Sequence, residues 1–179
     1  MAKRNLPAWL IVHESVSAWG TAEDINRWHL ERGFAGIGYH YVIGSAYPTA
    51  ASHRLRQPDP AHDGKLLPGR DLDGDYDVDE EIGAHCPGFN STSLGICLIG
   101  VGGEYSQAQL DTLHALLAAK CREYSIPIER IRGHSETENG KRQGKQCPSL
   151  PMDEVRAAVR RRLEAEDKAR ATLPAGGER

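Results

Sequence analysis

The sequence predicts an α/β (α+β) protein, a single domain with a central mixed β-sheet flanked by helices. Apolar runs of strand length alternate with longer stretches of helical periodicity, the pattern of strands joined by crossover helices. A length of 179 residues suits one domain that buries roughly two thirds of its unfolded surface. Apolar residues at 39% and charged residues at 26% describe a water-facing chain with enough material for a core.

Residues 8–14 read as a strand with Trp9, Ile11 and His13 on one face. Thr21 ahead of Glu23 and Asp24 is an N-cap with early carboxylates, opening a helix that runs to about Arg32 and stops at Gly33. Residues 38–43 read as a second strand. Residues 44–63, rich in Pro, Ala, Ser and His without periodicity, read as a long surface excursion. A short strand is expected at 65–67, then an acidic loop at 71–81 with seven carboxylates in eleven residues. The run from Leu94 to Val101 has the near-continuous apolarity of a central buried strand. Ser106 to Gln109 is a capping-box pattern, and Leu110, Leu113, Leu116, Leu117 and Cys121 follow it at helical spacing. A short strand at 128–132 leads into His134. A helix from Pro151 to about Arg170 places Val155, Ala158, Val159 and Leu163 on one side. The domain is thus expected over 1–170, with 171–179 a flexible tail and no second domain.

A net charge of −3 gives no electrostatic argument for nucleic acid or an anionic membrane as a partner. The apolar run Ala8 to Val12 is too short for a signal-peptide core, and no stretch reaches transmembrane length. Cytoplasmic synthesis without an export signal is expected. In that setting Cys86, Cys97, Cys121 and Cys147 stay free of disulfides, with Cys97 and Cys121 as small core residues.

Three residues carry metal chemistry by type: His13 in Ile11-Val12-His13-Glu14, His134 in Gly133-His134-Ser135-Glu136, and Cys147 in Lys145-Gln146-Cys147-Pro148-Ser149. Imidazole and thiolate suit Zn²⁺, and three protein ligands leave a fourth position open, as catalytic sites do. Two of the three fall at or just past strand ends and the third on a loop, where side chains gather over a sheet edge. Each also has a plain structural reading: His13 as the end of a strand, His134 as a loop hydrogen-bonder.

Taken in order, Ile11-Val12-His13, Gly38-Tyr39-His40-Tyr41-Val42-Ile43, Gly83-Ala84-His85 with Gly88-Phe89-Asn90, Ser93 to Gly100, Gly133-His134-Ser135-Glu136 and Lys145-Gln146-Cys147-Pro148-Ser149 form a set. This set resembles the type 2 N-acetylmuramoyl-L-alanine amidases, the family shared by phage lysozyme-type endolysins and peptidoglycan recognition proteins, over residues 8–163. The resemblance implies that family's fold and a zinc hydrolase. The enzyme would cut the amide between N-acetylmuramic acid and L-alanine and so lyse the bacterial wall. His13, His134 and Cys147 match the Zn²⁺ ligands, Tyr39 the tyrosine beside the metal, and Lys145 the catalytic lysine of phage members. His85 and Asn90 match positions lining the substrate groove. As packing alternatives, Tyr39 reads as an ordinary core tyrosine and Lys145 as a solvated loop lysine. His40 reads as structural, and His29, His53, His62 and His114 as surface or helix-face residues.

Zinc lowers the pKa of a bound water to about 7 and polarises a carbonyl. Two neutral imidazoles and a thiolate leave such a site near +1. Lys145 would add positive charge at the oxyanion, and Tyr39 would orient the water or donate to the oxyanion. Glu136 is a candidate partner for His134. The excursion 44–63 and the acidic loop are each candidates for a groove wall. Counting from Gly69, the loop puts Asp71, Asp73, Gly74 and Glu80 in EF-hand-like register, but it lacks the first acid and a preceding helix. Peptidoglycan or muropeptides are the expected partner of a monomer that meets periplasmic wall after release from the cytoplasm, the host's if the gene is a phage's. The competing readings are a non-catalytic peptidoglycan-binding module and a phage polymerase regulator.

Overall fold

The computed structural model describes residues 4–144 and 146–172. Its one sheet holds β1 (Trp9–Glu14), β2 (Tyr41–Ile43), β3 (Leu66–Pro68), β4 (Ser93–Leu98) and β5 (Ile131–Gly133) in the order β3-β2-β4-β1-β5. β1 runs parallel to β4 and β5, β2 runs parallel to β4, and β3 is antiparallel to β2. The helices are α1 (Ala22–Glu31), α2 (Ala50–Arg54), α3 (Gln107–Glu123), α4 (Glu138–Gln143) and α5 (Met152–Thr172).

Topology decides which helix covers which face. The chain leaves β1 through α1 toward β2, and leaves β4 through α3 toward β5, in opposite directions along the sheet. Right-handed crossovers in opposite directions must lie on opposite faces. Accordingly α1 packs Ala22 and Ile25 onto Val42, Cys97 and Ile99. On the other face, Leu113 and Leu117 of α3 and Val155 and Val159 of α5 pack onto Leu10, Val12, Ile96 and Leu98. With both faces covered, β4 is buried at every residue, which is why its sequence is a continuous apolar run. Each large aliphatic side chain so buried contributes on the order of 1.5–3 kcal/mol.

The caps follow the sequence signals. Thr21 Oγ1 accepts from the Asp24 amide at 3.3 Å while Asp24 Oδ2 accepts from the Thr21 amide at 3.1 Å. Ser106 and Gln109 form the same reciprocal pair, and Gln109 Nε2 also donates to the buried Ile99 carbonyl at 2.8 Å.

Four elements differ from the sequence reading. The second strand is only Tyr41–Ile43; ahead of it the Gly38 amide donates to the His29 side chain rather than to a strand. The excursion 44–63 contains α2, whose Thr49–Ser52 box makes a helix of five residues without an apolar stripe. Residues Ile128–Arg130 form a 3-10 turn, leaving Ile131–Gly133 as β5. Helix α4 has no hydrophobic periodicity to announce it; Thr137 Oγ1 caps the Gly140 amide and Gly144, at φ 61°, ends it.

Cys97 and Cys121 are buried core residues, and no disulfide joins any of the described cysteines. Asp79 anchors the acidic segment. It is buried and accepts from Tyr41 and Tyr124, each at 2.7 Å, and pairs with Lys120 of α3. Among the described residues no helix is long and apolar enough to cross a membrane. The expected tail falls almost wholly on residues 173–179, which lie outside the described residues, as does Lys145.

Candidate active site

β1 and β5 are adjacent and parallel, so their carboxyl ends open on the same edge of the sheet, where open α/β sheets place their sites. His13 is the penultimate residue of β1 and His134 immediately follows β5. Cys147 arrives from the segment after α4, tied to the His134 turn by a 2.7 Å bond from the Ser135 amide to the Cys147 carbonyl. One donor atom from each of His13, His134 and Cys147 lies within 4.8 Å of the others, and all three side chains are buried. Residues separated by more than 130 positions in sequence thereby converge on one point, with Cys147 Sγ 3.8 Å from His13 Nδ1.

Partners set the orientation of both imidazoles. His13 turns Nδ1 to Cys147 and Nε2 to His85 Nδ1 at 3.0 Å. His85 Nε2 is 3.4 Å from Ser93 Oγ, whose hydroxyl donates to the Phe89 carbonyl at 2.8 Å. Burial, then the charges of His40, His134 and Arg70, push His85 well below the ordinary histidine range, so it is a neutral acceptor for the His13 Nε2–H. Gly95 makes room for this ring: a Cβ there would stand 2.6 Å from it. His134 Nε2 meets Asn139 Oδ1 of α4 at 3.2 Å. α4 gets that close because Gly140 lies against the His134 carbonyl, where a Cβ would clash. Glu136, a candidate partner for His134 by sequence, is instead held by Arg156 through two 2.9 Å contacts and by the Gly133 amide.

These residues floor a cleft of about 610 Å³. Tyr39 lines it with its ring 5.0 Å from that of His13, and burial, then the nearby Cys97 and Cys147, raise its phenol well above the ordinary value. It is therefore a neutral donor. Asn90 lines the cleft too, but its Oδ1 is committed to the amides of His85 at 3.0 Å and Cys86 at 2.8 Å. His40 is fully buried away from the cleft, its Nδ1 accepting from the Gly95 amide and its Nε2 donating to the Glu81 carbonyl, each at 2.8 Å.

Several cleft residues are not legible as such in the sequence. His29, read as a surface or helix-face residue, is buried, accepts from the Gly38 amide at 2.9 Å and stacks on Phe34. Arg32, Phe34 and Glu14 also line the cleft, Glu14 directly after His13. The only available signals were the position of Arg32 where α1 stops and of Glu14 directly after His13. Neither 44–63 nor 71–81, the two candidates for a groove wall, is among the residues that line this cleft.

The sequence profile of the N-acetylmuramoyl-L-alanine amidase family, Amidase_2, matches residues 3–150. The endolysin of Escherichia phage T7 is 26% identical over 136 residues, covering 72% of this chain and 70% of the phage protein. Among solved structures, the N-acetylmuramoyl-L-alanine amidase LysC of Clostridium intestinale superposes with a TM-score of 0.66 at 24% identity, covering 87% of each chain. A Drosophila PGRP-LB variant in complex with tracheal cytotoxin superposes with a TM-score of 0.56 at 23% identity, over 97% of this chain and 85% of that one. The chain therefore belongs to the N-acetylmuramoyl-L-alanine amidase family, and its reaction is hydrolysis of the amide for which that family is named.

Proposed function

We propose that the chain is a zinc-dependent, endolysin-type amidase that severs the lactyl carbonyl of N-acetylmuramic acid from L-alanine and so lyses the bacterial wall. The observation that carries this is the convergence of His13, His134 and Cys147 donors within 4.8 Å on the cleft floor. The set fits the ion: tetrahedral zinc with bonds of about 2.0–2.3 Å separates its ligand atoms by about 3.3–3.8 Å, and Nδ1 and Sγ stand 3.8 Å apart. Zinc held there supplies a Lewis acid for the scissile carbonyl and a water of lowered pKa.

The chain's own residues do the rest. Tyr39, kept neutral by burial, donates a hydrogen bond to the carbonyl oxygen as negative charge develops on it. Lys145, two residues before Cys147, adds positive charge to the same oxygen. Arg32, the one permanently cationic side chain among the described cleft residues, binds a carboxylate of the stem peptide, with Phe34 beside it as an apolar platform. His85 and Asn90 complete the groove. The tracheal cytotoxin bound by the Drosophila relative supports a muropeptide as the ligand class. The enzyme is made in the cytoplasm and meets periplasmic wall on release.

Mass analysis of purified sacculi after digestion tests the bond: stem peptides with a free N-terminal L-alanine are expected, and reducing disaccharides would sink the reading. Chelation or Cys147→Ser should abolish hydrolysis in a folded protein, and full activity without metal would remove zinc from the mechanism.

A further inference from the structure

We propose that Glu14 is a positioning residue for Cys147, working from the face of β1 opposite to His13; this rests on the metal site proposed above. Consecutive strand residues point to opposite faces. His13 therefore turns toward the cleft, while the Glu14 carboxylate turns toward Tyr105 on the side covered by α3 and α5, where Leu10 and Val12 pack, although Glu14 also borders the cleft.

Glu14 is buried, 7% exposed, at the end of an apolar strand. A carboxylate taken from water there is costly unless donors surround it. Its donors come from two segments far away in sequence. Oε2 accepts from the Tyr105 hydroxyl at 2.8 Å and the Ser149 amide at 3.3 Å, and Oε1 accepts from Ser149 Oγ at 3.3 Å. The Glu14 amide itself lies 3.4 Å from Cys147 Sγ. One residue thus holds the Cys147–Ser149 segment at two points, the thiol directly and the chain two residues later. That segment has no helix or strand of its own to place the sulfur. Directly adjacent in sequence, His13 presents a ligand while Glu14 secures the ligand that comes from 133 residues downstream.

The test measures zinc affinity of purified protein by competition with a chelating dye, alongside the thiolate-to-metal absorption of the Co²⁺-loaded form and thermal melting of the metal-free form. Glu14→Ala should weaken zinc binding by about 10- to 100-fold and perturb the thiolate band. Glu14→Gln should restore affinity to within about threefold, because its carbonyl still accepts from Tyr105 and Ser149. Should Glu14→Ala fail to fold, the milder Tyr105→Phe/Ser149→Ala double variant carries the test, with a loss of about three- to tenfold expected. Unchanged zinc affinity in a folded Glu14→Ala protein, or in the double variant, overturns the proposal. So does Glu14→Gln as weak as Glu14→Ala, which would assign the effect to charge. Wild-type protein that takes up no zinc overturns the metal site, and the inference with it.

Discussion

His13 Nε2 stands 3.0 Å from His85 Nδ1, and the contact continues through Ser93 Oγ to the Phe89 carbonyl. An imidazole that lines the cleft therefore also holds the His13 ring in place. His85→Ala removes the acceptor for His13 Nε2–H and should weaken zinc binding by about 10- to 100-fold. Chelator competition measures it, and affinity equal to wild type would return His85 to the groove wall alone.

Tyr39 is a test of the oxyanion. Loss of one donor aimed at developing charge costs about 10²- to 10³-fold in kcat. Tyr39→Phe should therefore lower kcat by about 100-fold, with KM and zinc content near wild type. Steady-state kinetics on a defined muropeptide reads the split, and an unchanged kcat would leave Tyr39 as packing.

Asp79 is a test of the scaffold away from the cleft. Burial works to lower the Lys120 ammonium, but Asp79 and Glu123 hold it above the ordinary lysine value. Asp79→Ala leaves that cation with Glu123 alone and strands the Tyr41 and Tyr124 hydroxyls. A loss of about 3–5 kcal/mol follows from breaking one side of a buried pair. Denaturant titration checks it, and a loss under about 1 kcal/mol would show that the network relaxes freely.

His40 makes stability depend on pH. Burial pushes its pKa down to about 4, against the partial opposition of the Glu81 carbonyl and Asp79. The unfolded imidazole titrates at about 6.5, so between those values the unfolded chain binds a proton that the native chain refuses. The contribution is present above about pH 6.5 and is lost as pH falls toward 4, about 3 kcal/mol in all. Unfolding of the metal-free protein as a function of pH should show this decline, and His40→Gln should make it shallower, the remainder coming from the other histidines that burial lowers, His29, His85 and His114. Equal slopes would mean that His40 is not its source.

Much of the fold was legible because its signals are local. The Thr21 and Ser106 caps and the apolar run of β4 depend on neighbours within a few residues; the caps stand where the sequence placed them, and β4 forms there but ends at Leu98, short of the expected Val101. α2 and α4 were not legible, since a helix of five or six residues lacks the length to show a hydrophobic stripe and forms through its cap. The order of motifs named the family, yet the burial of His29 escaped it: that burial depends on the Gly38 amide and the Phe34 ring arriving from the next loop.

By itself the sequence determined the residue types of the site, the strands and helices that carry them, and the family to which the chain belongs. Only the tertiary structure decided what each side chain touches. Parallel pairing of β1 with β5 brought His13 beside His134, strand alternation sent Glu14 to the opposite face, and the Ser135 amide drew Cys147 to both. The meetings of His13 with His134 and of Glu14 with Cys147 join residues more than a hundred positions apart, and no local periodicity encodes them, because they are set by the register and crossover direction of the whole sheet.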